Sequence, residues 1–555
     1  MRLSRTLLVH ITIEFWKLLL VTTAVLLAVI AFAVTVKPLA DGKLQPLEAL
    51  KFMGLASFPM LAYALPFAAC FSATLVYHRL ASENEAQAAA SGGISHRSLL
   101  LPALVTGVVL AIGLSALHEV AIPRFLRSME RLVKADTAEL LVRMVRRGEA
   151  VQLGGRWIYA DWAQRVAPPA GSTAVDQIVL KNAVLISTDK DFRPITEGTA
   201  ELVAVGFYKM GEADAGGSRM RVVLRAKNMV GRERDRAIVR QELVQLPTFD
   251  VPSLLEDNPK FLTWSELRGL RTKPEAMNFI ERRRALLALE IARADSLEGI
   301  KGSLADRGVA EFVDNEGRAL TVRGTGIVPD PEGGYRIEAP AGTSIETRRT
   351  PGAGAAALRT VSPAARLIPT APDELSTGAV QFKLELSRPE TFSGDGSQER
   401  AGGSLTQLVL AGLRSRTDMS AALSAQSGAE LLRTAGAGSW GPGAASVQSA
   451  AADLQKKTDD LAREVTSKQH ERLAQSACCL IMVLTGAVVA LRFSQRQPLT
   501  VYLWSFLPAL VGLVSISGGQ QLAHTTGHLG LVLLWGGLAV LLVYTLSIFR
   551  VVARH

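Results

Sequence analysis

Apolar positions gather at the two ends of the chain. Six stretches are long and apolar enough to cross a hydrocarbon layer of roughly 30 Å as helices. They are Leu18–Val36, Phe58–Tyr77, Ser98–Leu117, Ala474–Leu491, Val501–Ser517 and Leu529–Phe549. From Leu499 to Phe549 there is no Asp, Glu, Lys or Arg, whereas charges recur throughout Arg124–Arg472. The second stretch opens on Phe58-Pro59 and holds Pro66, and the fifth holds Pro508. Spanning helices tolerate such prolines better than soluble helices do, because neighbouring helices satisfy the freed backbone groups.

The middle of the chain has a different period. Short apolar runs bounded by turn residues predict strands: Arg156–Tyr159, Gln177–Leu180, Ala183–Ile186 and Met220–Leu224. Runs of this kind suggest a β-sandwich or jelly roll. A helical pattern follows from Thr263 to about Ser296, with Arg282-Arg283-Arg284 on a solvated face. A second β-like patch covers Val309–Leu386, including Ala319–Val322 and Tyr335–Ile337. Pro351–Ala357 and Gly436–Ala451 have linker composition. A charged helix from about Ala451 to Arg472 then leads into the fourth span. The expected fold class is therefore an α+β membrane protein, with three plus three transmembrane helices flanking a large β-jelly-roll-like domain with an inserted segment. The expected divisions are 1–123, a first membrane half; 124–262, the β domain; 263–300, a helical segment; 301–455, an insertion, partly β and partly flexible; and 456–555, a second membrane half.

Charge fixes an expected orientation. Lys and Arg in short loops mark the cytoplasmic side. Arg2, Arg5 and Lys17 precede the first span, Arg79 and Arg97 lie between the second and third, Arg492 and Arg496 between the fourth and fifth, and Arg550 and Arg554 follow the sixth. The loop Gly518–His528 has neither residue. Both termini are thus expected in the cytoplasm, and the β domain outside. The exception is the first outer loop, with Lys37, Lys43 and Lys51 against Asp41 and Glu48. Ala31-Phe32-Ala33 offers a small-x-small cleavage site, but Glu14 precedes it, and removal of that span would leave five helices. The net charge of +10 fits basic loop ends and needs no nucleic acid.

Little in the sequence points to catalysis. There is no phosphate-binding Gly-x-x-x-x-Gly-Lys-Ser/Thr loop, no His-Glu-x-x-His and no Gly-x-Ser-x-Gly. Cys70, Cys478 and Cys479 all fall in apolar spans and read as packing residues, with no zinc or disulfide spacing. His524 and His528 have metal-ligand spacing, but lie in a Gly/Thr-rich turn where coincidence explains them. His118 and Glu119 are adjacent without a convergent partner. No cofactor, metal site or catalytic residue is expected, which suits a transport subunit powered by another protein.

One loop is distinctive. Tyr77-His78-Arg79 leads to Glu83-Asn84-Glu85, then Ser91-Gly92-Gly93-Ile94-Ser95 and an apolar helix with Pro102 near its start. This pattern resembles the coupling region of the lipopolysaccharide-export permeases of the LptF/LptG family. Arg79–Leu101 resembles the family's coupling helix (about 79–97 here) and the start of its third span. Glu85 falls on its signature glutamate, and Gly93 on its glycine turn. Glu119–Pro123, His470-Glu471-Arg472, Gln520–Gly530 and Trp535 are similar to further family positions. Ala490-Leu491-Arg492 departs from the usual Pro-Leu ending of the fourth span. The resemblance covers both membrane halves and, more weakly, Val151–Leu270.

The resemblance implies a membrane permease subunit of an ABC transporter. It would extract lipopolysaccharide from the inner membrane and pass it to a periplasmic bridge β protein. Its other implied partners are a second homologous permease and a cytoplasmic ABC ATPase dimer. Glu85, Gly93 and Arg79 would couple to the ATPase, Glu85 through a charge-assisted contact. Lys37 and Lys43 would meet lipid phosphate. Two readings fit Lys37, phosphate binding and simple snorkelling to the interface, and Gly93 reads equally as a helix C-cap. The alternative function is a membrane-anchored envelope binding or structural protein without transport activity.

Overall fold

The computed structural model describes residues 5–40, 46–125, 137–153, 156–168, 174–188, 194–210, 219–233, 239–251, 258–314, 317–331, 333–340, 344–349, 358–370, 380–393, 400–401, 406–416 and 419–553. They form six helices able to cross a membrane and two large antiparallel sheets, a mixed α+β architecture. The chain divides into two compact units: Met1–Lys273 with Asp460–His555, and Pro274–Asp459.

The first unit holds the spans. They are Thr6–Val36 in helix α1 (Arg5–Ala40), Ser57–Ser82 in α2 (Pro46–Ser82), His96–Phe125, Gly441–Arg492, which contains all of α11 (Ala444–Arg492), Pro498–Thr526 (α12) and His528–Val552 (α13). All six apolar stretches are helical. The first begins about three turns before Leu18, because Lys17 pairs with Glu14 at 3.0 Å and the charges need not break it. Spans two and four are the most enclosed, while one, five and six leave most of their apolar surface outward. The shared core joins Phe15, Tyr77, Leu114 and Val483. Hydroxyl pairs stitch the helices: Thr22–Ser72 and Thr74–Ser505 at 3.0 Å, and Thr485–Thr545 at 2.6 Å. The three cysteines are free and buried.

The same unit carries six strands, β1 (Val151–Leu153), β2 (Arg156–Val166), β3 (Ala174–Thr188), β4 (Pro194–Met210), β5 (Arg219–Glu233) and β6 (Val239–Val251). Each pairs antiparallel with its sequence neighbour. Among the described residues the connectivity is thus a meander, simpler than the Greek-key crossing of a jelly roll. A line of unpaired positions bends it. The ladder skips Asp161 opposite Asn182, Asn182 opposite Glu201, and Glu201 opposite Asn228. Asn182 and Asn228 take φ of 49° and 52°, a left-handed conformation that asparagine tolerates. Their amides donate to Asp161 at 3.1 Å and Glu201 at 2.5 Å. Because each strand carries the extra residue at one level, its two halves keep their apolar side on one core. That core takes Ile158 and Leu185 from one side of the line and Ile178, Val205 and Phe207 from the other. Helix α6 (Thr137–Arg146) covers it with Leu141, Val142 and Val145.

The second unit is built on helix α8 (Asn278–Arg307) and an 11-stranded antiparallel sheet, whose strands β7–β17 run from Val309 to Ser415. Ile280, Leu287, Ile291 and Leu304 of α8 are buried, as are Phe312, Val322, Phe382 and Leu384 of the sheet. Two expectations are corrected here. Arg283 and Arg284 are not on a solvated face: Arg283 pairs with Asp453 at 2.8 Å, and Arg284 pairs with Glu281 at 2.6 Å and donates to the Ser424 and Gln426 carbonyls. Gly436–Ala451 is not a linker. Helix α10 (Gly428–Ala437) precedes a turn at Gly441–Gly443, and α11 starts at Ala444. Alanine favours helix, and Gly443 lies where an added Cβ would come within 2.6 Å of the Ala294 Cβ. Pro351–Ala357 lies outside the described residues.

Charge on this sheet predicts acid sensitivity. Burial alone would raise the Glu346 carboxyl. The Arg348 hydrogen bond, with the Arg359 and Arg323 charges, outweighs it and holds the group below its usual 4.5. Glu385 is held low in the same way by Lys383 and Arg366. A depressed folded-state value stabilises above the unfolded value and is lost as pH falls through the folded one. The second unit is therefore expected to lose stability below about pH 4.5. Amide exchange in its strands at neutral and acid pH checks this, and Glu346→Gln should flatten the dependence.

Candidate coupling site

Helix α2 runs past the apolar core and ends at Ser82, where Asn84 turns left-handed at φ 59°. The break starts a separate seven-residue helix, α3 (Glu85–Ser91), with Glu85 as its first residue. Helix α3 ends in a Schellman arrangement: the Ile94 N–H donates to the Ala89 carbonyl and the Gly93 N–H to that of Ala90, both at 3.0 Å. Gly93 sits at φ +83°, which the motif requires and which disfavours other L residues. Ser95 then caps α4 (His96–Leu99), accepting from the Ser98 N–H at 3.3 Å, and α5 (Leu101–Ala116) follows with proline in its first turn.

The flanks of this loop are fixed. The Tyr77 hydroxyl donates to the Leu99 carbonyl at 3.0 Å and accepts from the Ala103 N–H at 3.3 Å. It is buried and ties the end of span two to the start of span three. His78 Nε2 meets the Arg496 carbonyl at 3.1 Å, joining the loop to the one between spans four and five. Arg79 pairs with Glu83 at 3.0 Å, not with Glu85. Both are exposed, so the pair contributes little. Ala86 packs on the membrane core, while Glu85, Gln87 and Ala88 are exposed. The result is a short helix anchored at both ends, presenting an acidic residue to its surroundings.

Of the residues singled out from sequence, Glu85, Gly93 and Arg79 share this loop. Lys37 falls on the last turn of α1. Lys43 lies outside the described residues. Sequence reasoning did not find the left-handed Asn84, the Tyr77 clamp or the His78 tie. Asparagine's tolerance of the left-handed conformation was a visible signal for a break at Asn84, whereas contacts between distant segments had none. Glu119 does have a partner: its carboxylate accepts from the Trp264 N–H at 2.6 Å.

At Gly93 an added Cβ would meet nothing within 4 Å, so only the backbone resists substitution. Gly93→Ala is expected to destabilise the loop by about 1–2 kcal/mol, and Gly93→Asn by less. Gly92→Ala, at φ −76°, should be nearly neutral. Amide exchange at Ile94 distinguishes the three.

Among the described residues, six membrane-capable helices, an antiparallel sheet domain between the third and fourth, and an exposed helix between the second and third give the layout of a multi-pass membrane protein. Residues 8–171 match the family model of the lipopolysaccharide export system permease LptF/LptG. The match runs from span one through the coupling loop to β2, so this first part of the chain is similar to the LptF/LptG permeases. No curated protein matches the chain.

Proposed function

We propose that the chain is the permease subunit of an ABC transporter of the inner membrane, moving lipopolysaccharide outward with energy from a separate ATPase. The observation that carries this reading is the exposed, doubly anchored α3 helix inside the family-matched region. In this reading Glu85 contacts a basic group on the ATPase, Arg79 and Gly93 belong to the same coupling surface, and Lys37 and Lys43 meet the phosphates of the glycolipid. A second, homologous permease closes the cavity, and the β domain hands the lipid to a periplasmic bridge β protein. Both termini lie in the cytoplasm.

The test is co-purification of the full chain from its native membrane under mild detergent, identifying bound proteins and lipids. A second six-span permease, an ATPase and a phosphorylated glycolipid should appear together. A chain recovered alone, without ATPase or glycolipid, would replace this reading with that of an anchored envelope-binding protein.

A further inference from the structure

The segment that follows the six-stranded sheet is held by two charged side chains from the membrane helices, Arg472 buried and Glu119 half-buried. Span three opens into a π turn at Leu117–Ala121, a rare geometry that concentrates at functional positions. Glu119 lies in this turn and accepts from the Trp264 N–H at 2.6 Å. Trp264 is the first residue of helix α7 (Trp264–Gly269), so its N–H has no partner within its own helix. The local capping box does not take it: Thr263 and Glu266 satisfy each other, with Thr263 N donating to the Glu266 carboxylate at 2.8 Å and Glu266 N to the Thr263 hydroxyl at 3.2 Å.

Span four supplies the opposite charge. Arg472 is buried, and its Nη2 donates to the carbonyls of Lys260 at 3.2 Å and Leu262 at 2.6 Å. These belong to a 3-10 turn and the residue after it, outside any helix ladder. The acidic groups near Arg472 are Glu119, Glu471 and Glu266. Farther along, Arg271 donates to Thr466 at 3.1 Å and Gln469 at 3.0 Å of the same span. Leu267 and Leu270 are buried between these polar ties. A charge buried at a membrane-helix end, as Arg472 is, is costly and persists where it has a task.

We propose that Asn258–Arg271 is a strap that couples the movements of spans three and four, with Glu119 and Arg472 as its positioning residues and the π turn as its hinge. A change in the separation of the two helix ends is carried by this segment from one span to the other. Its ends are therefore coupled: release of one anchor loosens the other. The consequence for transport rests on the permease reading; the coupling itself does not.

Hydrogen exchange on the full-length chain in lipid nanodiscs tests it. Glu119→Gln should raise exchange about tenfold at Trp264–Leu267 and also at Leu262, beside the Arg472 anchor. Arg472→Gln should do the same from the other end, with β3 and β4 unchanged, and Glu119→Asp should restore protection. Exchange raised only beside the substituted anchor, or nowhere, overturns the strap. If either variant fails to fold, Arg271→Ala decides the question: faster exchange at Leu262 supports coupling, and unchanged exchange overturns it. In the assembled transporter the variants should keep ATP hydrolysis while glycolipid delivery falls. Wild-type protein without ATP-dependent delivery would sink the permease reading and leave the exchange result to judge the strap.

Discussion

Gly530→Leu is expected to abolish accumulation of folded protein. Helices α12 and α13 meet along Gly519, Gly530 and Gly537, where their backbones approach without intervening side chains. A Cβ built at Gly519 would lie 2.5 Å from the Leu534 nitrogen and 2.7 Å from its Cα. One built at Gly530 would overlap the Ala523 backbone, and one at Gly537 would overlap Ser515. The neighbour is main chain at the first two positions, so no rotamer change relieves the clash. The helices must separate, and the Ser515 hydroxyl would lose its 2.8 Å bond to the Leu533 carbonyl across the same seam. Small residues at such a seam are how membrane helices associate without a hydrophobic drive. Overpacking usually costs about 1–3 kcal/mol and more where relaxation is blocked, against a total stability of about 5–15 kcal/mol. Gly512 gives the comparison. A Cβ there would press only on the flexible Leu541 side chain at 3.3 Å, so Gly512→Ala should be mild. Gly536→Ala, with nothing within 4 Å, should be close to neutral. Yield and thermal midpoint of the detergent-solubilised chain rank the series. Equal yields for Gly530→Leu and Gly536→Ala would show that the close approach does not hold the pair together.

The sequence made some features of this fold legible for a physical reason. Apolar spans are local in sequence, and each meets the length requirement by itself, so all six were readable. Gly93 was readable because a left-handed turn needs glycine. The sheet was readable as β and not as a meander, since pairing order is a property of distant residues. Its bend depends on Asn182 and Asn228 finding Asp161 and Glu201 across strands, which alternation alone cannot reveal. Gly436–Ala451 misled because glycine and alanine suit both linkers and tight helix contacts. Only the Ala294 surface against Gly443 decides between them. The candidate site divided similarly. Residues within the Tyr77–Ser95 loop were legible together, whereas the His78–Arg496 tie and the Glu119–Trp264 bond join segments far apart in sequence.

Glu85 offers the sharpest functional expectation, because its substitution leaves the chain's own fold alone. The side chain is exposed, and among the described residues no hydrogen bond or ion pair engages it; Arg79 is committed to Glu83. Any effect of substitution therefore reports on what binds the loop. A hydrogen bond to a charged group contributes about 1.5–3 kcal/mol. On the permease reading, Glu85→Ala should then weaken ATPase binding roughly 10- to 150-fold, at 1.4 kcal/mol per decade. Glu85→Gln keeps an acceptor without charge and should fall between Ala and wild type. Glu85→Lys places like charges together and should bind more weakly than Ala. The ordering Glu, Gln, Ala, Lys separates an electrostatic contact from one made by shape, since a shape contact would treat Gln as wild type. Titrating the ATPase against the permease in nanodiscs at two salt concentrations measures both strength and screening. If the three variants bind like wild type, Glu85 is a solvated loop charge and, on the permease reading, the ATPase contacts another surface. A reversed lysine on the permease rescued by an acidic substitution on the ATPase would name the partner residue directly.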